Sequence, residues 1–164
     1  VRLDDLNLIP PIDYAKIDIQ GAELDAIEFG EAKLGESLVV ELDVSFIEQY
    51  RAQPLFFDIA KRLHDNGMMF HCYTGYGSRA LRPFVPSGGL AAGGKQWVWA
   101  DAVFVRHPDR WGALSDRKLR KFALILHYVY ESYDFANHAL VELDRRHGTT
   151  YSGEYMDFVK SKQA

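Results

Sequence analysis

The residues whose types and spacing could do chemistry crowd into one short stretch. Between Tyr14 and Ile27 the chain reads YAKIDIQGAELDAI, with Lys16, Asp18, Gln20 and Glu23 inside eight positions. Two more carboxylates, Glu41 and Asp43, follow two residues apart in SLVVELDVSF at 37–46. A carboxylate facing a hydroxyl can take its proton as the oxygen attacks, can orient another base, or can ligate a divalent cation. Asp18, Glu23 and Glu41 are therefore candidate catalytic residues, and Gln20 is a candidate amide donor. Each also has a structural role open to it. Asp18 and Gln20 can cap a turn. Glu23 falls in a first helical turn, where the helix N-terminus stabilises negative charge by about 0.3–1 kcal/mol. Lys16 shares a strand face with Asp18 and is expected to be its ion-pair partner. Asp18, Glu41 and Asp43 held together would be costly without Mg²⁺ or Ca²⁺. The competing expectation is that Glu41 or Asp43 meets Lys16 or Arg51, and on balance no metal ligand is assigned.

These groups need elements to hold them. Residues 14–19 alternate, with Tyr14, Lys16 and Asp18 on one face and Ala15, Ile17 and Ile19 on the other, as in a strand. Gly21 allows a turn, and one helix is expected from there to Leu34, ending at Gly35. The run at the start of 37–46 suits a strand buried on both faces. QPLFFDIAKRLHDNG, 53–67, has helical spacing, with Pro54 fitting the first turn and Gly67 the end. MMFHCYTGY, 68–76, and QWVWADAVFVRH, 96–107, read as third and fourth strands. The Gly- and Pro-containing link between them joins antiparallel neighbours more easily than parallel ones. Ser115 or Asp116 can cap a helix with Leu119, Phe122, Ala123, Leu126 and Val129 on its core face. A second helix with Phe135, Ala136, Ala139, Leu140 and Leu143 follows and ends at Gly148, giving an antiparallel hairpin. The polar tail after Gly148 is expected to fray. Strands alternating with helices point to an α/β fold with a mainly parallel sheet, whose ligands bind at the carboxyl ends of the strands. Domain boundaries are expected at 1–110 and 111–164.

Composition narrows the classes. The 164 residues are 48% hydrophobic with one cysteine, Cys72, so no internal disulfide forms. That usage fits a reducing, cytoplasmic compartment. No apolar run approaches the roughly 20 residues of a membrane span. Residues 1–60 hold 13 Asp/Glu and 4 Lys/Arg, whereas 61–164 hold 10 and 15. The basic residues are scattered, which disfavours a nucleic-acid interface.

The segments LDDL (3–6), KIDIQGAELDAI (16–27), VVELDVSF (39–46), QPLFFDI (53–59) and ADAVFVR (100–106) occur in an order and spacing that resembles the FkbM family of S-adenosylmethionine-dependent methyltransferases. The resemblance runs over about residues 1–107, and Lys-Ile-Asp-x-x-Gly-x-Glu is its most specific part. It implies a Rossmann-like class I methyltransferase sheet of seven strands with the last antiparallel. The four strands here would be the fourth to seventh, lying in the order fourth, fifth, seventh, sixth. It also implies that about 90 residues, three strand–helix units, would lie upstream. The Gly-rich loop that cradles S-adenosylmethionine and the acidic residue for its ribose would be among them. The chain is thus expected to be a C-terminal part, inactive alone. Asp18 matches the family's acidic residue after the fourth strand, facing the transferable methyl, the acceptor or a metal. Asp18 and Gln20 are therefore candidate cofactor contacts, and O-methylation of a small molecule, sugar or glycan is the expected reaction. With its neighbour strand elsewhere, the strand at 14–19 is expected to be an open edge prone to self-association.

Other features carry less. In GGLAAGGK, 88–95, Gly89, Gly94 and Lys95 have P-loop spacing, but Gln96 replaces the Ser or Thr that binds magnesium, and a strand follows instead of a helix. The link is instead expected to contact the acceptor through its neighbours Tyr73, Tyr76, Arg79 and Arg82. Asp101, inside an apolar strand, is expected to pair with an arginine. The alternative function is a non-catalytic interaction or oligomerisation module, using the 115–147 hairpin and Tyr128, Tyr130, Tyr133 and Tyr155.

Overall fold

The computed structural model describes residues 2–89 and 92–163. The chain divides into two compact units, residues 1–106 and 107–164. In the first unit, strands β1 (Tyr14–Ile17), β2 (Val39–Ser45), β3 (Met68–Arg79) and β4 (Gln96–Arg106) form one sheet in the order β1-β2-β4-β3. β1 and β2 are parallel, and β4 is antiparallel to both β2 and β3. This is an α/β unit with a mixed sheet, in the strand order that the family resemblance implies. Leu38, Val39 and Val40 are all fully buried, as expected of a strand covered on both faces.

Alternation along the strands divides the sheet chemically. Val40, Leu42 and Val44 of β2 join Ala100, Ala102 and Phe104 of β4 in one apolar cluster. Helices α1 (Glu23–Glu28) and α3 (Phe56–Asp65) cover it with Ile27, Ile59 and Leu63. Each such side chain contributes about 1.5–3 kcal/mol through burial. The intervening residues Lys16, Glu41, Asp43 and Asp101 belong to the opposite face. Arg106 ends β4 as a buried clamp, its guanidinium donating to the carbonyls of Gly35, Ser37 and Asn66 at 2.6–2.9 Å.

The structure departs from expectation at three helices. The single helix expected from Gly21 to Leu34 is two, α1 and α2 (Glu31–Leu34), broken at Phe29 and Gly30. Glycine disfavours a helix interior, and Asp4 captures the new N-terminus, accepting from the amides of Ala32 and Lys33 at 3.0 Å each. In α3 the cap is Leu55, whose amide donates to Asp58 at 2.9 Å, so Pro54 lies outside the helix. In the second unit, α4 (Asp116–Tyr130) and α5 (Tyr133–His147) form the expected hairpin, ended by Glu131 and Gly148 in left-handed conformations; Leu119, Phe122, Ala123 and Leu126 are buried as expected, but Val129, at the last turn of α4, is exposed. Its antiparallel sense follows from Arg146, near the end of α5, donating to Leu114 and Asp116 beside the start of α4. The tail expected to fray is instead helix α6 (Tyr151–Gln163). Asp144 of α5 holds its start, accepting from the amides of Tyr151 and Ser152 at 2.9 Å each. No helix among the described residues is long and apolar enough to cross a membrane.

Candidate functional site

Where β1 ends, the backbone turns through two successive left-handed residues, Gln20 (φ 58°) and Gly21 (φ 105°). Two such residues in a row expose amides on the inside of the turn, and the Glu23 carboxylate fills that position. It accepts from the Ile19 amide at 3.0 Å and the Gly21 amide at 2.9 Å, and is only 3% exposed. Glu23 therefore holds the turn in shape, with one oxygen committed to each amide. Gln20 donates to Asp18 at 2.8 Å and accepts from the Tyr50 hydroxyl at 3.4 Å, which orients the Asp18 carboxylate from outside.

The register of β1 on β2 decides which carboxylates meet. Lys16 lies opposite Glu41 and Ile17 opposite Leu42, so Asp18 follows at the level of Asp43. Carboxylate oxygens of Asp18, Glu23 and Asp43 come within 4.8 Å of one another. Asp18 is exposed, Glu23 buried and Asp43 half-buried. Burial, reinforced by the negative charges of Asp18, Glu23 and Asp101 and only partly offset by Lys16, pushes the Asp43 carboxyl up to about 6.

Glu41 lies one step deeper and is engaged differently. Lys16 donates to it at 2.5 Å, and the Tyr14 and Thr74 hydroxyls each lie at 3.3 Å. The Glu41 hydrogen bond holds the Lys16 ammonium above its ordinary pKa, against a smaller burial effect. Three expectations change accordingly. Lys16 pairs with Glu41, not Asp18. Asp101 meets Lys16, at 3.6 Å, instead of an arginine. The oxygen cluster is Asp18, Glu23 and Asp43, with Glu41 drawn off into the ion pair. Sequence reasoning put Asp43 among the cluster oxygens but not among the catalytic candidates. The usable signal was parity plus register: two residues beyond Glu41 on the same face is the level that Asp18 reaches.

The arrangement leaves a carboxylate-rich rim with one exposed member, Asp18, and one, Asp43, that takes up a proton near pH 6. It suits a ligand that brings positive charge or a hydroxyl proton. Leu90 and Ala91 of the Gly-rich link lie outside the described residues. Of the tyrosines read as a possible interaction surface, Tyr128 is 76% exposed, whereas Tyr155 is hydrogen-bonded to His127 at 2.8 Å.

Residues 1–70 match the family model for the Methyltransferase FkbM domain. The match takes in β1, the turn that carries Asp18 and Glu23, and β2, and stops short of β4. No curated protein and no solved structure matches the chain.

Proposed function

We propose that the chain, whose first 70 residues carry the FkbM methyltransferase domain, supplies the acceptor-side rim of an S-adenosylmethionine-dependent O-methyltransferase. The single observation that carries this is the convergence of Asp18, Glu23 and Asp43 at the ends of adjacent parallel strands, inside the matched segment. Ligands of such sheets bind beyond the carboxyl ends of the strands. The donor set fits the positively charged side of the cofactor, because burial first and then the neighbouring carboxylates oppose the Asp43 charge, and a cation would relieve both. Asp18 and Gln20 would hold it, and it would supply an electrophilic methyl group.

The protein's own residues do the rest. Asp18, exposed and oriented by Gln20, accepts the proton of an acceptor hydroxyl on a small molecule, sugar or glycan. Glu23 keeps the turn closed, so that Asp18 has a fixed position. Asp43 keeps the rim negative above about pH 6. Glu41 acts through Lys16, which it holds away from Asp18. In this reading the strands are the second half of a Rossmann-like sheet. The Gly-rich cofactor cradle of such a sheet has no counterpart before Asp18.

The test is transfer of labelled methyl from S-adenosylmethionine into the small-molecule and glycan fractions of a cell extract by the whole gene's product. Asp18→Asn is expected to lower incorporation by about 10²-fold or more with the unfolding midpoint unchanged. Full incorporation by that variant would remove Asp18 from the chemistry. A second reading, a non-catalytic interaction module, is favoured by one observation: Leu124, Tyr128 and Val129 of α4 are 56%, 76% and 52% exposed.

A further inference from the structure

The longest carboxylate-free stretch of the chain lies between Asp65 and Asp101, and it carries Arg79, Arg82 and Lys95. Two of these cations line one cleft. Arg79 ends β3 opposite Gln96, the first residue of β4, and Lys95 comes one residue before that pair. Both are exposed, and neither forms an ion pair with a carboxylate among the described residues. Surfaces ordinarily interleave the two signs of charge, so two unpaired cations lining one cleft, with no acid in the surrounding sequence, give it a positive potential.

The cations also flank a cavity. A cleft of about 650 Å³ opens at this end of the hairpin, lined by Tyr76, Ser78, Arg79, Leu81, Phe84 and Lys95 among others. Its floor is built by close approach of the two arms. The Gly94 amide donates to the Ser78 hydroxyl at 3.2 Å, and a Cβ on Gly94 would lie 2.4 Å from the Arg79 carbonyl oxygen. The aromatic wall is braced, because Tyr76 stacks on Trp97 with ring centroids 4.5 Å apart and 15° between planes, yet stays 58% exposed. A braced, exposed ring beside cations is suited to a ring compound that bears a negative charge.

We propose that this cleft binds the anionic group of the acceptor, which makes the acceptor a carboxylated or phosphorylated ring compound. The cleft lies on the same rim as the carboxylates. Asp101, which faces Asp43 on β2, is opposite Gly75 on β3, four residues before Arg79. Those four residues, at 3.3 Å each, and the three strand spacings of about 4.8 Å from β1 to β3 put Arg79 roughly 20 Å from Asp18, a span that calls for an extended acceptor of several linked rings. The word acceptor rests on the methyltransferase reading. The anion site does not.

The experiment is amide-shift mapping by nuclear magnetic resonance at low ionic strength, without cofactor. The probes are glucuronate, glucose 6-phosphate, glucose and inorganic phosphate. Amides of residues 76–81 and 93–96 are expected to shift with one or both anionic sugars and not with glucose, and the better binder identifies the anion. The exposed double substitution Arg79→Gln/Lys95→Gln is expected to weaken binding by about tenfold or more. Arg82→Gln, outside the lining, changes it by less than about twofold. The proposal is overturned by no shift up to ~10 mM, by equal binding of glucose, or by an unaffected double variant. Equal affinity for inorganic phosphate would overturn the ring-compound assignment. Anion binding here, without S-adenosylmethionine binding by the whole gene's product, would sink the methyltransferase reading and leave the cleft standing. The opposite pair of results would do the reverse.

Discussion

Glu23 and Asp43 do different work with the same functional group, and environment separates them. The Glu23 oxygens each accept a backbone amide, so Glu23→Ala leaves the Ile19 and Gly21 amides without their partner. Chemical denaturation is expected to show a loss of about 2–3 kcal/mol. A loss under ~0.5 kcal/mol would mean that water satisfies those amides equally well. Asp43 has no such donors, and burial raises its pKa from 3.8 to about 6. A carboxyl whose folded pKa lies above its unfolded one binds more protons when folded. Its contribution is therefore favourable below about pH 4 and is lost as pH rises through 6. Asp43→Asn removes that penalty. It is expected to stabilise the protein by about 1 kcal/mol at pH 8, once solvent screening of this half-buried group is allowed for, and to be neutral at pH 4. Equal stability of variant and parent at pH 8 would show that the rim carries no strain of charge.

At the scale of elements, remote carboxylates decide where helices begin. Asp4 starts α2 from 28 residues away, and Asp144 starts α6 across the turn after Gly148. Burial opposes ionisation of Asp144, but its hydrogen bonds from Ser152, Thr149 and Tyr151 outweigh that and bring it down to about 2. Asp144→Ala is therefore expected to unravel the first turn of α6, seen as lost amide protection in residues 151–155 under hydrogen exchange. Unchanged protection would show that packing alone holds the helix. These starts explain what the sequence did and did not disclose. The strands were legible because alternation and the run at 38–40 are local signals. The break at Gly30 and the helix after Gly148 were not, since their caps are tertiary contacts. Within the site, Asp18 and Glu23 were legible from their turn. The choice of Asp43 over Glu41 needed the β1–β2 register, which no single strand contains.

Across the whole molecule, charge divides along the chain. Residues 1–60 have a net charge of −9 from 13 acidic and 4 basic side chains, and they contain the carboxylate rim. The stretch from 66 to 100 has no carboxylate and lines the cationic cleft at the same end of the sheet. A methyl donor that carries positive charge suits the first region, and an anionic acceptor suits the second. Calorimetry reads whether the rim serves an S-adenosylmethionine site. The protein is expected to bind S-adenosylmethionine, and Asp18→Asn to weaken that binding by about tenfold. Absence of binding would contradict the account and leave an interaction module that keeps the fold without the chemistry.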